Sequence, residues 1–122
     1  MISPRIGWGL SILACLLLAF SASAKLVGGA EFEEGFTTMG LPLAIRVPLG
    51  ILELLVALVY IIPATSVLGG ILFAGCMGGA IMTHWRVGDP FIIQAVVGIV
   101  AWLGLWLRDD RLKRLLPVRE RV

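Results

Sequence analysis

Chemistry in this chain would centre on a charge inside oil, and the residue that carries it is Glu53, in the middle of the apolar stretch Leu43–Ile62. A carboxylate at that depth is costly. It has to be protonated, paired with a cation or turned toward a watery cavity. Arg46 stands seven residues earlier, nearly two helical turns, so Arg46, Gly50 and Glu53 share one helix face, with Glu53 about 10 Å deeper. Ser21, Ser23 and Lys25 approach the end of the preceding apolar stretch, while Thr83 and His84 close the following one. On antiparallel helices these ends meet on one side, and their polar groups would form a funnel reaching down to Glu53. Two uses fit that arrangement: a protonated or salt-bridged brace that holds helices in register, or a site for a proton, an ion or a polar head group. Lys25 and Arg46 are the expected partners of the carboxylate, because their aliphatic stems let the charges reach inward.

The other reactive residue types carry less. His84 has no second histidine or cysteine cluster beside it, so no metal site is expected. Cys15 and Cys76 fall mid-stretch, at depths that would let them face each other, but they form no CxxC pair and read as small buried hydrophobes. The arginines of the C-terminal tail are interrupted by Asp109, Asp110 and Glu120, which suits a membrane-flanking anchor better than nucleic acid. No redox cofactor motif is evident.

The elements that must position these groups follow from composition. Hydrophobic residues make up 59% of the 122 and charged residues 15%, against roughly 45–50% and 25% in soluble domains. A chain this small lacks the polar material to cover a soluble surface, and its mean hydropathy is +1.00. Four stretches, about 6–24, 43–62, 64–84 and 90–107, are nearly free of charge. Each has the length of roughly 17–25 residues that spans a bilayer as a helix. The expectation is an all-α integral membrane protein: one domain over 1–122, a four-transmembrane-helix bundle with a basic tail from 108 to 122. The first stretch also imitates a secretory signal, with Arg5 before it and Ala22-Ser23-Ala24 at its end, but 19 residues exceed a signal's usual core.

Local chemistry marks the boundaries. Pro63 ends the second stretch and opens a tight turn. Gly88 suits the end of the turn after the third, and Asp89-Pro90 reads as an N-cap with proline at the first helical position. Within the long connection Lys25–Pro42, the Ala30–Met39 segment reads equally as a short interfacial helix or an irregular acidic loop. Arg5 and six basic residues of the tail lie on one side, so both termini are expected in the cytoplasm. Trp8 and Trp106 suit the inner interface, Trp85 the outer one, and Trp102 a lipid-facing position one turn deeper. Gly70, Ala74 and Gly78, with Gly75 and Gly79, recur at four-residue spacing, which makes the third helix the expected buried centre of the bundle.

The order of these short motifs resembles a known pattern. Ser21-Ala22-Ser23-Ala24-Lys25-Leu26 is followed by Gly40-Leu41-Pro42, then Gly50-Ile51-Leu52-Glu53-Leu54 with Ile62-Pro63 closing that helix. Gly79-Ala80-Ile81-Met82-Thr83-His84 and Gly88-Asp89-Pro90 come next, before a last helix leading into Leu107-Arg108. This series resembles the DoxX-like family of small four-helix bacterial membrane proteins, from about Ile6 to Pro117. The resemblance implies a multi-pass protein of the bacterial inner membrane, attached to quinone-linked or oxidative-stress redox systems through a soluble or membrane oxidoreductase. It also implies roles for Lys25, Glu53 and His84, which occupy the family's polar motif positions, and a quinone as the possible ligand. The expected function is that of an accessory or subunit binding a small amphiphile near Glu53, rather than a self-sufficient enzyme. A small proton-coupled carrier using the same carboxylate and a structural anchor for a soluble partner are the alternatives, and a homo-oligomer is compatible with each.

Overall fold

In lipid every backbone amide must find its partner within the chain, and helices satisfy that requirement along each apolar stretch. The computed structural model describes residues 2–121. It contains four long helices, α1 (Ile2–Val27), α3 (Arg46–Ile61), α4 (Ser66–Trp85) and α5 (Ile92–Arg108), with two short ones, α2 (Ala30–Thr38) and α6 (Asp110–Lys113). Single 3₁₀ turns at Leu43–Ile45 and Pro63–Thr65 lead into α3 and α4. Three segments, Pro4–Val27, Leu43–Ile61 and Pro63–Trp85, are long and apolar enough to cross a membrane, and the 17-residue α5 is a shorter apolar helix. At about 1.5 Å per residue α5 measures about 25 Å, close to the hydrocarbon thickness.

The long helices form a ring in chain order. α1 packs on α3, α3 on α4, α4 on α5, and α5 returns to α1 along the broadest contact of the four. The bundle is oily outside and partly polar within: Phe20 (77% exposed) and Ile93 (75%) point outward, whereas Ser11, Tyr60, Glu53 and Ser66 are buried. That pattern suits lipid as the outer solvent.

Turn chemistry sets the helix ends. Ile62 is extended ahead of Pro63, whose 3₁₀ turn is fastened by the Thr65 hydroxyl donating to Val59 O at 2.8 Å. Two Schellman closures use glycine in the left-handed region, which other residues rarely adopt. Gly40 (φ +74°) ends α2, with Leu41 N donating to Phe36 O. Gly88 (φ +75°) closes α4, with Asp89 N donating to His84 O. The second closure corrects the expected start of the last helix. Asp89 belongs to the end of α4, α5 begins at Ile92 behind Phe91, and no side chain caps it. The Ala30–Met39 segment is helical, and its Phe36 is buried and stacked on Phe32 at 5.6 Å.

The expected centre of the bundle also needs correction. α4 buries Ser66, Gly69, Gly70 and Phe73, but Ala74, Gly75, Gly78 and Gly79 are exposed. A Cβ at Gly70 would meet Leu105 Cδ2 at 2.8 Å, whereas at Gly75, Gly78 or Gly79 it would meet nothing within 4 Å. The reason is rotational: a four-residue row drifts about 40° per step around a helix, so by Gly78 it has left the contact face. The tight seams use other glycines. A Cβ at Gly69 would fall 2.2 Å from Tyr60 Cα, and one at Gly104 would fall 2.8 Å from Ser11 N. Trp102 turns into the α4–α5 seam, where Nε1 donates to Gly70 O at 2.9 Å, and so does not simply face lipid.

Candidate functional site

One close approach of backbones brings the charged residues together. Gly50 of α3 lies against α1, where an added Cβ would meet Ala22 O and Leu26 Cγ, each at 3.1 Å. One turn along α3, Glu53 then comes under the end of α1. Its carboxylate receives Lys25 Nζ at 3.0 Å on Oε1 and 3.1 Å on Oε2, and the Ser21 hydroxyl donates to Oε2 at 3.3 Å. Lys25 Nζ also donates to Ser21 Oγ at 2.7 Å. The Lys25 and Glu53 side chains are only 14% and 10% exposed. Three groups on two helices thus make a compact, nearly neutral polar cluster in apolar surroundings.

Arg46 and His84 stand apart from that cluster. The Arg46 guanidinium donates to the carbonyls of Lys25 and Leu26, capping the end of α1 instead of reaching Glu53. Carbonyls at a helix C-terminus carry partial negative charge, which explains the preference. His84 forms a second group at the same end of the bundle. Its Nδ1 pairs with Ala80 O at 2.8 Å, while Nε2 faces Gln94 Nε2 at 3.4 Å and Asp89 Oδ2 at 3.8 Å. The sequence-level funnel is therefore two separate sets of polar groups. Cys15 turns to α3, with Sγ 3.6 Å from Ala57 O, and neither cysteine is in a disulfide.

A third polar centre went unread in the sequence. Near the other end of the bundle, the fully buried Tyr60 donates its hydroxyl to Ala101 O and lies 2.9 Å from Ser11 Oγ. Arg108 donates to Tyr60 O at 3.0 Å and rests its guanidinium 4.2 Å from the centre of the Trp8 ring and 5.1 Å from that of Tyr60. A usable signal existed: Arg46, Glu53 and Tyr60 repeat at seven residues along one face of α3, and Tyr60 is the sole tyrosine.

Two open spaces flank these centres. A cleft of about 330 Å³ is lined by Trp8, Pro63, Ser66, Arg108, Asp109, Asp110 and Arg111. An apolar groove of about 360 Å³ runs between α1 and α3, from Ile12 and Ile61 to Ala19 and Leu54, beside Ser21 and Glu53 in sequence.

The model of the DoxX-like family matches residues 9–107, which is most of the chain and reaches from within α1 to the last turn of α5. The chain belongs to the DoxX-like family. It is a small membrane protein, with the transmembrane character that its apolar helices carry. Every motif that suggested the DoxX-like resemblance, from Ser21–Leu26 to Gly88-Asp89-Pro90, lies inside the matched region. No curated protein and no solved structure matches the chain.

Proposed function

We propose that this DoxX-like protein is an accessory or subunit of a quinone-linked or oxidative-stress redox system, holding the head of a small amphiphile at Lys25, Ser21 and Glu53. The observation that carries the reading is adjacency. A buried polar cluster stands at the outer end of an apolar groove on the same helix pair, and together they offer a polar head and a hydrocarbon tail the environments they need. A quinone fits that donor set: Lys25 and Ser21 would donate to its ring oxygens, Glu53 would orient the ammonium, and Ile12, Leu16 and Leu58 would flank the tail. Bound there, a quinone would supply redox capacity that the side chains lack, and the electrons would come from a partner oxidoreductase.

The reading includes a location. Both termini lie on the cytoplasmic side of a bacterial inner membrane and the Lys25–Glu53 cluster faces outward, supported by the concentration of basic residues at Arg5 and in the tail. Reporter fusions after Leu107 should register as cytoplasmic and those within Glu31–Thr38 as external.

A second reading rests on one observation: the Lys25 ammonium hydrogen-bonds Ser21 Oγ and Glu53 Oε2 and lies 3.0 Å from Glu53 Oε1, all within the cluster. A pair bonded in this way serves equally as an internal brace for α1 and α3. Native mass spectrometry from mild detergent separates the two. Wild type should retain a quinone-sized adduct, and Lys25→Met and Glu53→Gln should lose it while remaining helical and monodisperse. Variants that keep the adduct, or wild type that shows none after quinone is added, would leave the brace as the role of the cluster.

A further inference from the structure

We infer that the cleft at the terminal end of the bundle is a binding site for the phosphate of an anionic phospholipid, with Arg108 as its anchoring cation. The charge balance of the cleft points there. Asp109 is held by Arg111 through Nε at 3.1 Å, Nη2 at 3.0 Å and the backbone N at 3.1 Å. Asp110 is held by Lys113 at 3.1 Å. Both acids lining the cleft are thus already neutralised. Arg108 is not: among the described residues no carboxylate lies within 4 Å of it.

Its hydrogen bonding is incomplete as well. Nη2 donates to Tyr60 O at 3.0 Å, and Nε is buried without a partner. Buried donors are nearly always satisfied, so an orphan at the edge of a cleft marks a place for an acceptor from outside. A guanidinium fork matches a phosphate in shape and charge. Trp8 and Tyr60 hold that fork from its faces at 4.2 and 5.1 Å, so little rotamer freedom is lost on binding. The location suits a lipid. Arg108 is the last residue of an apolar transmembrane helix, where head groups begin, and Trp8 beside it is an interfacial aromatic. About 330 Å³ accommodates a head group but not its acyl chains, which would stay in the bilayer.

The test is lipid retention by native mass spectrometry, with purified protein exchanged into mild detergent containing equal phosphatidylglycerol and phosphatidylcholine. Wild type should keep one phosphatidylglycerol in preference to phosphatidylcholine. Arg108→Gln should lose that preference by about tenfold or more, and Arg108→Lys should fall between them, since it keeps the charge without the fork. Arg119→Gln in the tail should behave as wild type. Asp110→Asn is a second route that does not touch the bundle, because that side chain is 87% exposed. It frees Lys113 and should tighten retention by about fivefold, the effect of one basic charge near a lipid surface. Equal retention of the two lipids by wild type, or unchanged preference in both Arg108→Gln and Asp110→Asn, would overturn the assignment. So would inorganic phosphate that occupies the site at millimolar concentration and displaces the lipid, since the phosphate source would then be free anion.

Discussion

The Lys25–Glu53 pair can be weighed by a double-mutant cycle. Each charge is held by the other and by Ser21, at separations of 2.7–3.3 Å and with 14% and 10% of the side chains exposed. Removing one member leaves the other charge stranded, which costs about 3–5 kcal/mol in buried pairs. The residual exposure lets some solvent in, so about 3 kcal/mol is expected for Lys25→Met and for Glu53→Leu. Removing both leaves no charge behind, and apolar replacements of similar volume are then close to neutral. The double variant should therefore be no worse than either single one, with a coupling energy of at least about 2 kcal/mol. Ser21→Ala should cost about 0.6–2 kcal/mol, the range for one hydrogen bond between helices in a membrane. Reversible unfolding in mixed micelles, driven by a denaturing detergent and followed by circular dichroism, gives each value. Single effects that add within about 0.5 kcal/mol would refute the reasoning, because they would mean that the two charges do not meet.

Four further outcomes follow from the packing, the α1 cap and the tail. Gly104→Ala should destabilise the bundle by about 1–3 kcal/mol, because its Cβ would fall 2.8 Å from Ser11 N and α1 would have to move away. Gly78→Ala, where the same atom meets nothing within 4 Å, should be neutral or stabilising by up to about 1 kcal/mol in that assay. Arg46→Met should lower stability by about 1–3 kcal/mol, by leaving the Lys25 and Leu26 carbonyls without their charged donor, yet leave the Lys25–Glu53 coupling intact. Hydrogen bonds from Arg111 hold the Asp109 carboxyl below its ordinary 3.8. Its contribution to tail order should therefore be complete above about pH 4 and be lost as pH falls through the lower, folded value. Carboxyl NMR shifts would follow this titration, and Asp109→Asn should abolish the dependence.

Much of the architecture was legible because lipid imposes such a strong pattern. Uninterrupted apolar runs become helices, Pro63 forces a break, and Gly88 supplies a backbone conformation that few residues adopt. The contact between Glu53 and Lys25 was also within reach, since a carboxylate at that depth requires a partner. Choosing between Lys25 and Arg46 was not. That depended on the carbonyl ends of α1, an acceptor set invisible in a string of side chains. The glycines of α4 misled for a related reason: spacing shows which residues form a row, but not where the row leaves its neighbour. Gly7 and Gly104 went unremarked because neither belongs to a four-residue row of glycines, yet the tightest α1–α5 contacts depend on them. Tyr60 and Arg108 were hidden by their positions near helix ends, where such residues usually read as interfacial anchors.

The seam between α1 and α5 has a kinetic consequence. Three of the four seams in the ring join helices that follow one another along the chain, and such hairpins can zip soon after insertion. The fourth joins the two ends of the sequence, and Gly7 cannot find Gly104 until every intervening helix is in place. Closing so long a loop is entropically slow, so this step should limit the rate of folding. Once made, the same junction keeps either end from peeling away alone. A nascent chain stalled before Gly104 would carry an open seam along α1, with Ser11 and its neighbours exposed to quality-control proteases until the last helix arrives.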